Sequence, residues 1–346
     1  MRMTEMIRVG IVGATGYSGQ ELIRLLLSHP GVELTYLAAT SDAGETADLL
    51  PQVTGTVLPS IVGYRQEDCV KNCEVAFVAL PSGAAGRIAG ELWDSGLKVI
   101  DLSGDLRLNA EAYREWYGKS PAPKRYLDSA VYGLSEWNRD EISQATLVSN
   151  PGCYATAILL GLLPLAKAGL LQGQLVTVDA KSGVSGAGRS PKLENQLAQL
   201  ADNFVPYKIG QHQHTPEVEQ QLGNGTKLLL TTQLLPITRG IYACAYVRWP
   251  EQLASIASVR ELYQAAYGDE PYVHLLPEGV VPQLKSVRGS NSCHLQVHPD
   301  ERTHTLMVFS ALDNLVKGAA GQAVQNLNIM YAFPPTAGLS PFGFAP

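Results

Sequence analysis

Residues 7–40 read IRVGIVGATGYSGQELIRLLLSHPGVELTYLAAT, and their pattern decides the fold. Ile7–Val12 is apolar and β-branched, as a buried strand requires. Gly13, Gly16 and Gly19 follow at intervals of three. Residues 20–27 have helical periodicity, which His29-Pro30-Gly31 ends. Val32–Ala39 is a second apolar run. Strand, glycine turn, helix and strand make a βαβ unit, whose crossover is right-handed in a parallel sheet. Glycines let a backbone approach a pyrophosphate, and a helix N-terminus adds N–H donors and positive potential. Gly13, Thr15, Gly16, Tyr17, Ser18 and Gly19 are therefore candidates to hold a dinucleotide. Their spacing departs from G-x-G-x-x-G, and a plain tight βα turn is the alternative. At the second strand's tip, Thr40 and Ser41 offer hydroxyls to a 2′-phosphate and point to NADP, while Asp42 beside them would favour NAD.

The alternation continues outward. Strands are predicted over 73–80, 98–102 and 147–149, with a helix over 83–93, as in a doubly wound sheet. After Gly169 the pattern changes. Residues 175–180, 227–235, 241–248, 292–297 and 303–311 are strand-like, and only 193–200, 217–222 and 253–267 read as helices. The expected architecture is α/β. A Rossmann-type nucleotide domain over 1–148 and 314–346 accompanies an α+β domain with a mixed sheet over 149–313, for substrate and oligomerisation. The last helix, from Leu315 to about Met330, carries the small residues GAAGQAV and is expected to return to the first domain.

Bulk properties narrow the function classes. The chain has 346 residues, 45% hydrophobic and 17% charged, enough for two folded cores. A net charge of −6 without a basic run argues against nucleic-acid binding. No apolar run reaches membrane-spanning length, since Gly161, Pro164 and Lys167 interrupt the longest. The N-terminus lacks a signal-peptide pattern. Five cysteines, an odd number, fit a reducing compartment, so the expected location is the cytoplasm. Cys69 and Cys73 lack a second pair to complete a metal site, and no metal is expected.

The chemistry concentrates at SNPGCYATAILLGLLPLAKAG, Ser149–Gly169. Its Asn150-Pro151-Gly152 turn delivers Cys153 to the first residue of a long apolar helix. Most cysteines are core residues. A thiolate at a helix N-terminus, however, is stabilised by unpaired N–H groups and the helix dipole, and becomes a nucleophile. In YKIGQHQHTPEVEQQL, His212 and His214 precede a predicted helix start with Thr215 as N-cap and Pro216 at the first position. The pair could serve as base, anion contact, metal ligands or structure. Glu217, in that helix's first turn, is a further candidate to meet substrate. The loop KSGVSGAGR offers Ser182 and Gly186, whose backbone could face a cofactor or phosphate. Arg239 in PITRGIY is a solvated loop residue or a fork for an anion.

The segments GATGYSGQEL, NPGCYAT, SGVSGAGR, HQHTPE and TRGIY, in this order, resemble the N-acetyl-gamma-glutamyl-phosphate reductase family, which is related to aspartate-semialdehyde dehydrogenase. DLSGDLRL and VYGLSE also look like family segments, although Ser135 stands where the family pattern has proline, outside the expected chemistry. The resemblance implies NADPH-dependent reductive dephosphorylation of N-acetyl-L-glutamyl 5-phosphate through a Cys153 thioester, in arginine biosynthesis. It implies His212 as acid/base, His214 as an anion contact, and the Cys153 N–H with Asn150 at the oxyanion. Arg107 and Arg239 become candidates for the substrate's carboxylate or phosphate, and Ser182 and Asn314 for the cofactor. The implied partners are a small acyl phosphate and further copies of the chain, as a dimer or tetramer. Two alternatives stay open: the same chemistry on a carrier-linked aminoadipyl phosphate of the lysine pathway, and a non-enzymatic NADP-binding sensor.

Overall fold

Ile7–Val12 forms the central strand β1, buried from Val9 onward, because parallel strands covered on both faces must be apolar throughout. The computed structural model describes residues 6–40, 43–189, 193 and 196–344. Two units emerge, Met1–Gly152 with Ala319–Leu339, and Cys153–Gly318 with Ser340–Pro346.

In the first unit β1 is joined by β2 (Val32–Ala39), β3 (Ile61–Gly63), β4 (Val75–Val78), β5 (Lys98–Asp101), β6 (Val131–Tyr132) and β7 (Leu147–Ser149). All pairs are parallel, in the order β3-β2-β1-β4-β5-β7-β6. The order reverses between β1 and β4, the switch point at which such sheets bind ligands beyond their strand ends. The glycine turn occupies that point. Gly13 has φ +101°, and a Cβ there would lie 2.4 Å from the Ala79 carbonyl oxygen. A Cβ on Gly19 would lie 2.1 Å from the Gly13 oxygen. The first helix therefore starts at Tyr17, three residues before its apolar periodicity becomes visible. Cys69 and Cys73 are buried against β1, where a Cβ on Gly10 would come within 2.6 Å of the Cys73 sulfur.

The last helix, Gly321–Met330, packs within the first unit against the Tyr17–Leu26 and Arg139–Gln144 helices. A π-helical turn, Val316–Ala320, precedes it. Residues 314–318 and 340–344, assigned by sequence to the nucleotide domain, fall in the second unit, and 149–152, assigned to the second domain, fall in the first. The reason is local bonding. Asn314 accepts the Gly240 N–H at 2.7 Å, and the Ser340 carbonyl accepts the Asn291 N–H at 2.9 Å.

The second unit holds β8 (Leu175–Gly183), β9 (Val205–Tyr207), β10 (Lys227–Leu235), β11 (Ile241–Arg248), β12 (Val273–Leu275), β13 (Cys293–Asp300) and β14 (Thr305–Leu312). The order is β12-β13-β14-β11-β8-β10-β9; β8–β10 and β12–β13 run parallel and the other pairs antiparallel. Of the helix expected over 193–200, Leu197–Leu200 is present, while 194 and 195 lie outside the described residues. The helix Cys153–Lys167 packs on β11 and β14. Residues 154–166 of it are all buried, which accounts for its largely apolar sequence.

Pro164 does not end this helix. Proline removes the N–H that would bond the carbonyl four residues back. The orphaned Leu160 oxygen instead accepts the Tyr267 hydroxyl at 2.7 Å, and the Gly161 oxygen accepts the Tyr263 hydroxyl. Both tyrosines belong to the helix Ile256–Tyr267. Tyr267→Phe should therefore leave a buried carbonyl unsatisfied and cost about 1–3 kcal/mol. Denaturant titration should show a lower midpoint at an unchanged slope; an unchanged midpoint would refute this role for the tyrosine.

Candidate active site

Cys153 occupies the first position of its helix, as the turn before it predicts. It is half-buried, whereas Cys69, Cys73, Cys244 and Cys293 are buried. With Tyr154, Ser182, Gly186, Tyr207 and His212 it lines a cavity of about 440 Å³ in the second unit. A larger groove of about 750 Å³ passes Arg65, Glu67 and Lys71, but it holds no thiol or imidazole.

His212 is only 4% exposed. Its ring meets Tyr154 edge-on at 5.2 Å, Tyr207 at 5.9 Å and His214 at 4.7 Å. Burial, and then the charges of His214 and Lys208, push its pKa down to about 2, against the opposing pull of Glu217. The ring is neutral at physiological pH. Its Nδ1 accepts the His214 backbone N–H at 3.2 Å, which assigns the ring proton to Nε2. The Tyr207 hydroxyl donates to that of Tyr154 at 3.1 Å, and burial raises both hydroxyl pKa values, so both remain protonated.

The predicted cap is different. The helix begins at His214 with Gln213 in the cap position, and Gln213 makes no side-chain cap bond. Thr215 lies inside the helix, its N–H bonded to the His212 oxygen at 2.9 Å. Pro216 is thus the third helical residue, where the missing N–H still costs nothing. His214 is buried beside His212 and Tyr154. Glu217 is wholly buried, and its charge is felt at His212.

Three predicted cofactor residues come together at the end of β8. Asn314 donates to the Ser185 hydroxyl at 3.0 Å. A Cβ on Gly186 would stand 3.0 Å from the Ser182 hydroxyl, which itself donates to the Gly183 oxygen at 2.9 Å. Arg239 pairs with the buried Asp313 carboxylate at 3.3 Å.

The other predicted residues lie in the first unit. Gly16 caps the first helix in an extended conformation without a side-chain cap bond, which leaves the N-terminal N–H groups to a ligand. Thr15 is buried, Tyr17 is exposed and Ser18 is half-buried. This cradle, closed by the Gly13 and Gly19 contacts, suits a pyrophosphate. Thr40 is exposed at the tip of β2; Ser41 and Asp42 lie outside the described residues. Arg107 is buried and donates to the Asn150 oxygen at 2.8 Å and the Leu102 oxygen at 2.9 Å. Asn150 is fully buried. Its amide donates to the Ala319 oxygen and accepts from Asn326, both at 3.1 Å. Both side chains brace the turn that precedes the cysteine. Ser135 belongs to the same network, donating to Asn326 at 2.8 Å and accepting from Gln322 at 2.7 Å.

Sequence reasoning overlooked three groups. Tyr154 and Tyr207 form the cavity wall, and only the tyrosine adjacent to the cysteine offered a cue. In DLSGDLRL, the Asp105 carboxylate accepts N–H groups from Gly83 at 2.8 Å and Gly86 at 2.9 Å, and the Tyr113 hydroxyl at 2.7 Å. It thereby secures the start of the Ala85–Asp94 helix. Among the described residues, no group of three His, Cys, Asp or Glu is placed to hold a metal, and no helix is long and apolar enough to cross a membrane.

Comparison with known proteins extends this geometry. Residues 8–145 match the family model described as semialdehyde dehydrogenase, NAD binding domain, and 153–314 match semialdehyde dehydrogenase, dimerisation domain. Among solved structures, aspartate semialdehyde dehydrogenase II from Vibrio cholerae has a TM-score of 0.72 at 16% identity, covering 95% of this chain and 99% of that one. The Candida albicans aspartate semialdehyde dehydrogenase with NADP has a TM-score of 0.71 at 20% identity, over 95% of this chain and 99% of that one. These likenesses establish the fold. The N-acetyl-gamma-glutamyl-phosphate reductase of Brevibacillus brevis is 45% identical over 96% of this chain and 98% of its own length. That of Moorella thermoacetica is 45% identical over 99% and 100%. Identity of this extent over nearly the whole chain shows that it belongs to the N-acetyl-gamma-glutamyl-phosphate reductase family.

Proposed function

We propose that this chain uses NADPH to reduce N-acetyl-L-glutamyl 5-phosphate to N-acetyl-L-glutamate 5-semialdehyde, a step of arginine biosynthesis. The names of its relatives support the substrate. The observation that carries the chemistry is a half-buried cysteine at a helix N-terminus, sharing a cavity with a neutral histidine. A sensor needs no such arrangement, and no named relative supports the carrier-linked alternative.

The Cys153 sulfur attacks the acyl carbon, phosphate leaves, and a thioester remains on the enzyme. The nicotinamide cofactor, when bound, supplies the hydride that brings this carbon to the aldehyde level. Its pyrophosphate would rest on the Gly13–Gly19 turn, and Thr40 with Ser41 would meet a 2′-phosphate. Negative charge develops on the former carbonyl oxygen. The Cys153 N–H and the Nε2–H of His212 are the donors suited to stabilise it. The tetrahedral adduct on sulfur then collapses, releasing aldehyde and thiolate. Ser182, Gly186 and Asn314 shape the cofactor side of the cavity, with His214 and Glu217 behind His212. Asn150 and Arg107 act by holding the turn, and Arg239 stands over Asp313.

We further place the protein in the cytoplasm, where its five free thiols persist, and assign it a dimer or a dimer of dimers. The match to a dimerisation-domain model supports association. Val308 of β14 faces the cysteine helix, where a Cβ on Gly161 would approach it to 3.3 Å. The alternating Met307 and Phe309 are only half-buried, and Tyr246 is exposed. This sheet face is the candidate contact.

Cys153→Ser should fold and still bind NADP, yet lose turnover by on the order of a thousandfold or more. Enzyme quenched after mixing with acyl phosphate, without NADPH, should carry the acyl mass on the Cys153 peptide. Substantial activity in the serine variant, or label on Cys244 or Cys293, would overturn the thioester.

A second prediction concerns pH. His212 has a folded pKa far below its ordinary 6.5. Its contribution to stability is therefore complete above that value and declines as pH falls, because the unfolded chain takes up the proton first. Relative to His212→Asn, wild type should lose about 2 kcal/mol between its ordinary pKa and about pH 5. Denaturation of both proteins across this range checks it, and parallel stability curves would show that the ring titrates normally.

A further inference from the structure

We propose that Lys208 recognises an anionic oxygen group of the substrate at the Cys153 cavity. This rests on the reductase reading above and adds a residue to which the expected mechanism gave no role. The substrate brings a carboxylate and a phosphate toward a cavity walled by Tyr154, Tyr207 and Leu234. An anion entering such surroundings requires a charged or hydrogen-bonding partner to offset lost hydration. Among the described residues lining the cavity, Lys208 is the only fixed cation; His212 is neutral.

The backbone is built to hold it there. Lys208 has φ +46°, in the left-handed region that lysine seldom adopts. The other non-glycine residues described in that region are Asp202, Asn224, His304 and Ala332. Three of these are types enriched there, so Lys208 and Ala332 are the exceptions. A residue kept in a costly conformation at a cavity is a reason to look for a role. Lys208 follows β9, and its carbonyl accepts the Gln211 N–H at 3.0 Å, closing a short turn before the histidines. Its ammonium donates to the Gln213 side-chain oxygen at 2.6 Å. Gln213 directly follows His212 and also lines the cavity. The ammonium is thus tied to the histidine segment by its bond to Gln213, and its charge is felt at His212. An arriving carboxylate or phosphate can take the charge-assisted bond while Gln213 orients the donor.

The reverse reaction separates the two anions, because inorganic phosphate and N-acetyl-L-glutamate 5-semialdehyde are distinct substrates there. Lys208→Met should raise one KM by about tenfold or more, the cost of losing one charge-assisted bond, with a smaller change in kcat. Lys208→Arg should recover most of the loss. A shift in the phosphate KM assigns the leaving-group site, and a shift in the semialdehyde KM assigns the α-carboxylate site. Both KM values unchanged, or kcat falling alone, overturns the proposal. Lys208→Gln repeats the test with a shorter neutral side chain should the methionine variant fold poorly. A third measurement needs no variant and no turnover. Acetylation of Lys208 by acetic anhydride, followed on its peptide by mass, should slow in the presence of phosphate or of N-acetyl-L-glutamate. Protection by neither also overturns the proposal. Wild-type protein inactive with both reverse substrates would instead overturn the reductase reading, leaving the acetylation experiment to decide on Lys208.

Discussion

A nucleophile at a helix start is useful only if the turn before it is fixed, and the hydrogen bonding of Asn150 fixes this one. Its N–H binds the Asp101 oxygen at 2.8 Å, its carbonyl receives Arg107, and its amide is held by Asn326 and Ala319. No part of the residue is exposed. Each of these groups would be costly to bury alone, so they constrain one another to a single arrangement. Ser135 and Gln322 extend the network. A proline at position 135 would lack the hydroxyl that joins them. This departure from the family pattern therefore concerns the brace under the cysteine turn, although it touches no reacting atom.

The cysteine helix faces a second constraint. It is apolar on every side because the structure surrounds it, and such a helix presents no polar face on which to compensate a broken backbone bond. Pro164 breaks one. The structure compensates from outside, with two tyrosine hydroxyls from a neighbouring helix directed at consecutive carbonyls. The proline alone would read as a helix stop. The tyrosines lie about a hundred residues away in sequence, at separations of 102 and 107. Local pattern cannot join the two features, whereas packing does.

The same division governs what could be read in the sequence. β1, β2, β10 and β11 were legible to the residue, because six to nine apolar or alternating positions carry an unambiguous period. β3, β6, β9 and β12 were not. With two or three residues each, they exist because a neighbouring strand offers backbone partners. At the site, Cys153 and the glycine turn were visible because each depends on local geometry. The Thr215 cap was misplaced because the chain enters the helix two residues earlier, where the His212 backbone oxygen and Nδ1 take the first N–H groups. Asn150 and Arg107 were recognised as site residues, but their bracing bonds were not foreseen. Their bracing role depends on residues distant in sequence, chiefly Asn326 and Ala319 for the asparagine.

That early helix entry also decides what His212 can do. The His214 N–H occupies Nδ1, so a proton added to the ring would set Nδ1–H against another N–H. Burial, and then the electrostatic influence of His214 and Lys208, oppose protonation further. The ring is held as a neutral donor through Nε2. This form suits the thioester route proposed above, in which the oxygen of the tetrahedral adduct needs a hydrogen bond as its charge appears. In the reverse direction of the proposed reaction the same oxygen arrives as an aldehyde, and Nε2–H is the donor suited to polarise it. On that proposal one tautomer, set by one backbone N–H, presents the same donor in both directions.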